Sequence, residues 1–248
     1  MSIDDDFYIQ PNWPAPSGVR AYVSTRIGGV SKAPFVSLNL GAHVGDDIES
    51  VIENRRLFAQ ATNMPDSVQW LNQVHGTDVV CLPCDDLLDS ADAAFSDQVN
   101  QVCAVLTADC LPVFFCDVAG GGVAVAHAGW RGLCAGVLEE TLNRFDEPEK
   151  VLVWLGPAIG PEAFEVGSEV REAFIAKQPE ARQAFVATEN DKWLGNLYLL
   201  ARQRLMAKGV MNISGGEHCT FTEKDRFYSY RRDGKTGRMA SVIWLDHK

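Results

Sequence analysis

Between residues 101 and 127 the chain passes three times through apolar stretches of strand length, 101–107, 112–117 and 122–127. Ala108-Asp109-Cys110-Leu111 separates the first two, and a tight turn at Gly120-Gly121-Gly122 separates the last two. A chain with this centre must build a sheet. Pro112 restricts its strand to an edge or to a start at that point. Further strands are expected at 18–25, 67–74, 77–82, 151–155 and 240–246. Helical spacing marks 48–61, with Asp46 or Asp47 as N-cap. It also marks Trp130 to about Phe145, then 168–176, 178–187 and 194–208, the last closed by Gly209. Gly28 to Asp47 reads as a long loop without periodicity, a length that often carries function. With no repeat, linker or low-complexity segment, the simplest account is one α+β domain with mixed sheets over residues 1–248.

The 22 basic and 33 acidic side chains leave a formal charge of −11. That field argues against nonspecific nucleic-acid or anionic-membrane binding. An anionic substrate needs a local cluster of Arg or Lys. No secretory signal is legible, and no apolar run approaches the roughly 18 residues of a membrane span. The expectation is a soluble, cytoplasmic protein. Seven cysteines, an odd count, argue against a disulfide framework.

His75, Cys110 and His127 sit at or near the ends of apolar runs. Two imidazoles and a thiolate make a three-donor zinc set with one position open, the catalytic pattern. The spacings of 35 and 17 residues match no zinc finger, so the three must converge from separate strands. A hydrogen-bonded structural His and a core Cys are the plain alternatives. Gly129-Trp130-Arg131-Gly132 lies where strand passes to helix, where an Arg can grip phosphate or carboxylate; Arg131 can equally pair with a carboxylate. Cys81-Leu82-Pro83-Cys84 lacks a second pair to complete a zinc site. The basic run from Phe227 to Arg238 can bind an anion, or form a hairpin turning at Asp233-Gly234. Of His218 and Cys219, at most one can face a common site if they lie in a strand. Asp109, next to Cys110, can orient a ligand.

Asn72-Gln73-Val74-His75-Gly76, Thr107-Ala108-Asp109-Cys110-Leu111-Pro112 and His127-Ala128-Gly129-Trp130-Arg131-Gly132 resemble the YfiH family, also called laccase-domain or multicopper polyphenol oxidoreductase proteins. Ser37-Leu38-Asn39-Leu40-Gly41, Gly156-Pro157-Ala158-Ile159-Gly160 and Phe227-Tyr228-Ser229-Tyr230-Arg231-Arg232-Asp233 fit it too. The likeness runs from about 18 to 245. It implies a layered α/β sandwich with mixed sheets, a fold also likened to Cys–His hydrolases, and zinc held by His75, Cys110 and His127.

The resemblance implies three kinds of activity. One is phosphorolysis of adenosine, inosine, guanosine and methylthioadenosine, with deamination of adenosine. Another is copper-dependent polyphenol oxidation; multinuclear copper calls for many histidines, and this chain has five. The third is hydrolytic editing of peptidoglycan precursors. Zinc with an open position suits the purine chemistry. Phosphorolysis also needs a phosphate grip, with Arg131 the first candidate and Arg55, Arg231 and Asn39 the others. A Cys–His hydrolase uses Cys110 as nucleophile and His127 as base. A zinc-stapled partner-binding module is the non-enzymatic alternative.

Overall fold

A computed structural model describes residues 7–84 and 90–246. Three sheets organise it. The five-stranded sheet has the order β1 (Tyr8–Ile9), β2 (Val19–Ser24), β14 (Met239–Leu245), β6 (Val102–Thr107) and β3 (Val68–Trp70). Its pairs are antiparallel except β3 with β6. The six-stranded sheet runs β13 (Asn212–Gly215), β9 (Val151–Leu155), β7 (Leu111–Asp117), β8 (Val123–Ala128), β5 (Ala93–Ser96) and β4 (Val79–Cys81). Here the outer pairs β13–β9 and β4–β5 are parallel and the inner ones antiparallel. A small antiparallel sheet holds β10 (Glu165–Gly167), β12 (Lys192–Gly195) and β11 (Phe185–Ala187).

The central strands are buried on both faces, so they read as unbroken apolar runs. Successive side chains point to opposite faces, and the three cores follow that alternation. From β6, Cys103 and Val105 meet Phe114 and Cys116 of β7 and Val123 and Val125 of β8 between the two large sheets. Val102, Ala104 and Leu106 face outward to Phe58, Leu38 and Leu40. Phe58 lies on helix α1 (Ile48–Thr62), capped by Asp47, whose carboxylate accepts from Ser50 N at 3.0 Å. On the far side, Val113, Phe115, Ala124 and Ala126 pack on helices α2 (Trp130–Ala135), α3 (Val137–Leu142), α4 (Ser168–Lys177) and α5 (Leu197–Ala207). The layers are therefore helix, sheet, sheet, helices. Pro112 is the second residue of central strand β7, so the strand starts there rather than lying at an edge.

Several expected elements differ. The helix from Trp130 is cut into α2 and α3 at Gly136, whose φ of 118° no helix interior accepts. The helix expected at 178–187 is a 3-10 turn, Pro179–Ala184, leading into β11. Residues 192–195 pair with β10 and β11, which delays the start of α5 to Leu197. The strands expected at 67–74 and 77–82 shrink to β3 and β4, because the chain between them leaves one large sheet for the other. The segment that offered a hairpin at Asp233-Gly234 as the alternative to anion binding is a short helix, α6 (Tyr230–Asp233), capped by Ser229. Asp85 and Asp86, which follow Cys84, lie outside the described residues. Among the described residues no helix is long and apolar enough to cross a membrane.

Candidate metal centre

Two connections cross between the large sheets at the same end. One joins β3 to β4 and carries Asn72–Gly76; the other joins β6 to β7 and carries Ala108–Cys110. His75 adopts the left-handed conformation (φ 62°), and so does Asp109 (φ 92°), immediately before Cys110. Asp109 is held there from both sides. Its Oδ1 accepts from the Thr220 hydroxyl at 2.6 Å and its Oδ2 from Arg231 N at 2.7 Å. His127 is the penultimate residue of β8, on the face shared with Val123 and Val125.

These three side chains meet. One donor atom from each of His75, Cys110 and His127 lies within 4.8 Å of the others. Cys110 Sγ is 3.7 Å from His75 Nε2, and the two imidazole rings stand edge to face with centroids 4.7 Å apart. His75 is exposed, Cys110 half-buried and His127 buried. A Cβ at residue 129 would fall 2.7 Å from His75 Cδ2 and 3.0 Å from Cys110 Sγ, so only glycine fits behind the cluster. That explains one glycine of the His127-Ala128-Gly129-Trp130 segment.

Asp92, fully buried before β5, ties the cluster together. Its Oδ1 accepts from His127 Nδ1 at 2.7 Å and from His75 N at 2.9 Å. Its Oδ2 accepts from Val74 N at 3.1 Å and Gly76 N at 2.6 Å. With Nδ1 engaged, His127 turns Nε2 towards the cluster. Burial works against the charge on Asp92, but His127 and the Gly76 and Val74 amides outweigh it and hold the carboxyl below its ordinary range. Burial likewise opposes the Cys110 thiolate, yet the two histidines bring the thiol down to about 6. Burial opposes the His127 imidazolium, yet Cys110 and Asp92 lift it to about 9. Cys110 and His127 thus titrate as a pair. A thiolate and two imidazole nitrogens at this separation can hold a metal ion.

The cluster forms one wall of a cavity of about 720 Å³. Arg55 lines it too; among the expected substrate-binding residues only this one does. Asn39 is fully buried away from the cavity, its amide spent on Gly41, Asp46 and Arg238 N. Arg131 is exposed and stacks on Trp130 at 4.4 Å, outside the cavity. Arg231 reaches Glu165 O at 2.8 Å and also stays outside. The cavity instead recruits His43, Trp70, Gln73, Tyr230 and Arg238. His43 was legible as part of the long loop and of a family-like motif, His43-Val44-Gly45-Asp46-Asp47, and Arg238 as part of the basic run; nothing in the sequence marked Asp92.

Residues 20–246 match the family described as multi-copper polyphenol oxidoreductase laccase. A relative in Escherichia coli, named purine nucleoside phosphorylase YfiH, is 59% identical over 96% of this chain and 98% of its own length. The chain belongs to the YfiH family. A Haemophilus influenzae member named purine nucleoside phosphorylase is 51% identical over 96% of this chain and 99% of its own. Solved structures of other members share the fold. Neisseria meningitidis protein NMB0706 superposes with a TM-score of 0.92 at 49% identity, covering 97% of this chain and all (100%) of that one. YlmD from Geobacillus stearothermophilus gives 0.86 at 33% identity, covering 98% of this chain and 100% of that one. This YfiH-family chain is therefore an enzyme homologue with a mixed α+β sandwich and a His–Cys–His cluster at a cavity wall.

Proposed function

We propose that this chain is a zinc-dependent purine nucleoside phosphorylase, cleaving adenosine, inosine, guanosine and methylthioadenosine, and also deaminating adenosine. The whole chain, 1–248, works as one cytoplasmic domain on small molecules. The observation that carries this reading is the convergence of His75, Cys110 and His127 on the wall of a 720 Å³ cavity. The names of the relatives support the substrate class.

The donor set fits zinc: two imidazole nitrogens, one thiol already drawn toward its thiolate form, and an open side toward the cavity. Bound there, zinc supplies a Lewis-acidic position for a substrate oxygen or water. Copper binds such donors more tightly, so metal analysis of freshly isolated protein separates this reading from polyphenol oxidation.

In phosphorolysis a phosphate oxygen bonds to C1′ of the ribose as the C1′–N9 bond breaks. The bonding pair leaves with the purine, which takes up a proton. Tyr230, 61% exposed on the cavity lining, offers a flat ring to the base. Asp92 fixes the orientation of His127, and through its amide bonds the position of His75.

A second reading draws on Asp92. Cys110, His127 and Asp92 form the nucleophile, base and orienting carboxylate of a thiol hydrolase. One experiment separates the two. Zinc-loaded and chelator-treated protein are incubated with adenosine and phosphate, with His75→Ala as control. Adenine or hypoxanthine with ribose 1-phosphate, lost on chelation and in the variant, supports the phosphorylase. No turnover above the variant overturns it, and hydrolysis that survives chelation supports the thiol mechanism.

A further inference from the structure

The described lining of the cavity beside the cluster carries two guanidiniums in a strongly acidic chain. It holds Arg55, Arg238 and His43, and none of the described lining residues is an Asp or a Glu. Both guanidiniums are held in place by backbone carbonyls rather than by carboxylates. Arg55 lies over the Trp70 ring at 4.0 Å and donates through Nε to Leu40 O at 3.0 Å. Arg238 donates through Nη1 to Thr236 O and Gly237 O, both at 3.0 Å. No described residue accepts from either Nη nitrogen of Arg55, or from Nε or Nη2 of Arg238, by hydrogen bond or ion pair. Buried or stacked arginines normally find a carboxylate; these two have been fixed and left with free donors.

The fixation is built from distant parts of the sequence. Asn39 Oδ1 accepts from Arg238 N at 2.9 Å, and Leu40 N donates to Arg238 O at 3.2 Å. The Arg238 stem packs where a Cβ at residue 41 would stand, 2.8 Å from Cγ. Thr107, also on the cavity wall, keeps a buried hydroxyl with no hydrogen-bond partner. The geometry points to an oxyanion subsite in which Arg55 and Arg238, with His43 beside them, seat free orthophosphate in the cavity that the His75–Cys110–His127 cluster also lines.

This deepens the phosphorylase reading and rests on it for the use of the bound anion. Fixed guanidiniums with paired N–H donors match the geometry of a tetrahedral oxyanion. The phosphate grip is thereby assigned away from Arg131. An anion carried by the substrate itself has the same chemistry, so the test compares the two sources.

Orthophosphate and adenosine 5′-monophosphate are titrated calorimetrically into the zinc-loaded full chain, and phosphorolysis is followed with phosphate and nucleoside varied separately. Arg55→Lys, Arg55→Met, Arg238→Lys and Arg238→Met are the variants, with Arg131→Met as control. Each Met variant is expected to weaken orthophosphate binding and raise KM for phosphate by about tenfold or more, because charged hydrogen bonds are lost. The Lys variants recover part of the loss, KM for nucleoside stays within about twofold, and Arg131→Met behaves as wild type. Orthophosphate binding unchanged in all four variants overturns the subsite, as does loss confined to Arg131→Met. Binding of the monophosphate without orthophosphate overturns the assignment to free phosphate. Orthophosphate binding that depends on both arginines, with no nucleoside turnover, keeps the subsite and overturns the phosphorylase reading alone.

Discussion

Asp92 accepts a 2.7 Å hydrogen bond from Nδ1 of His127, and both groups are buried. The same carboxylate collects three backbone amides from the 74–76 segment. One side chain thus sets the aim of one donor and the position of a second. Asp92→Asn replaces an acceptor-only group with one that presents N–H to amides. We expect zinc affinity, read by chelator competition, to fall about 10- to 100-fold. Denaturant unfolding should show a loss of about 1–3 kcal/mol. Wild-type zinc affinity in this variant overturns the positioning role.

Gly129→Ala places a methyl group 2.7 Å from His75 Cδ2. The atoms it meets belong to the His75 and Cys110 side chains themselves, so the expected result is zinc stoichiometry well below that of wild type with the far-ultraviolet spectrum unchanged. Full zinc loading in this variant shows that the cluster can shift to accommodate the methyl.

His43 is held below the ordinary histidine range, by burial first and then by Arg238 and Arg55. The unfolded side chain protonates near pH 6.5. The stability this group contributes is therefore complete above about 6.5 and is lost as pH falls through the lower folded-state value. The His43 ring resonance should titrate below 6.5 and move upward in Arg238→Met. A titration at or above the ordinary value places His43 away from the two arginines.

Phe114 is fully buried between the large sheets, 5.8 Å from the Trp154 ring and 6.5 Å from Trp13. Phe114→Ala should cost about 3–5 kcal/mol in urea unfolding. A cost under about 1 kcal/mol would mean that the intersheet core collapses around the gap.

Asn39→Ala removes the acceptor of Arg238 N and the tie to Asp46. The expected signature is a rise in KM for phosphate larger than any change in KM for nucleoside, since the residue holds Arg238 N directly and also braces Gly41, next to the cavity-lining Ala42 and His43. A matching rise in both constants counts against that role.

The amino-acid sequence by itself determined the elements whose signal is local. The apolar runs at 101–107, 112–117 and 122–127 became β6, β7 and β8 with small shifts. The Asp47 cap became the start of α1. His75, Cys110 and His127 could be chosen as candidates because residue type at the end of an apolar run is visible along the chain. Tertiary structure decided what depends on distance across the fold. Two crossings between sheets and one strand end bring the three donors within 4.8 Å of one another, a convergence that no spacing of 35 and 17 residues encodes. The same holds for the cations. Arg131 has the better local context, at a helix start, yet it points outward onto Trp130. Arg238 sits in an ordinary-looking turn, yet Asn39, almost two hundred residues away, carries it to the cavity. Burial decides the rest, since Asp92 acquires its role only where the packed sheets exclude water and leave its four hydrogen bonds without competition.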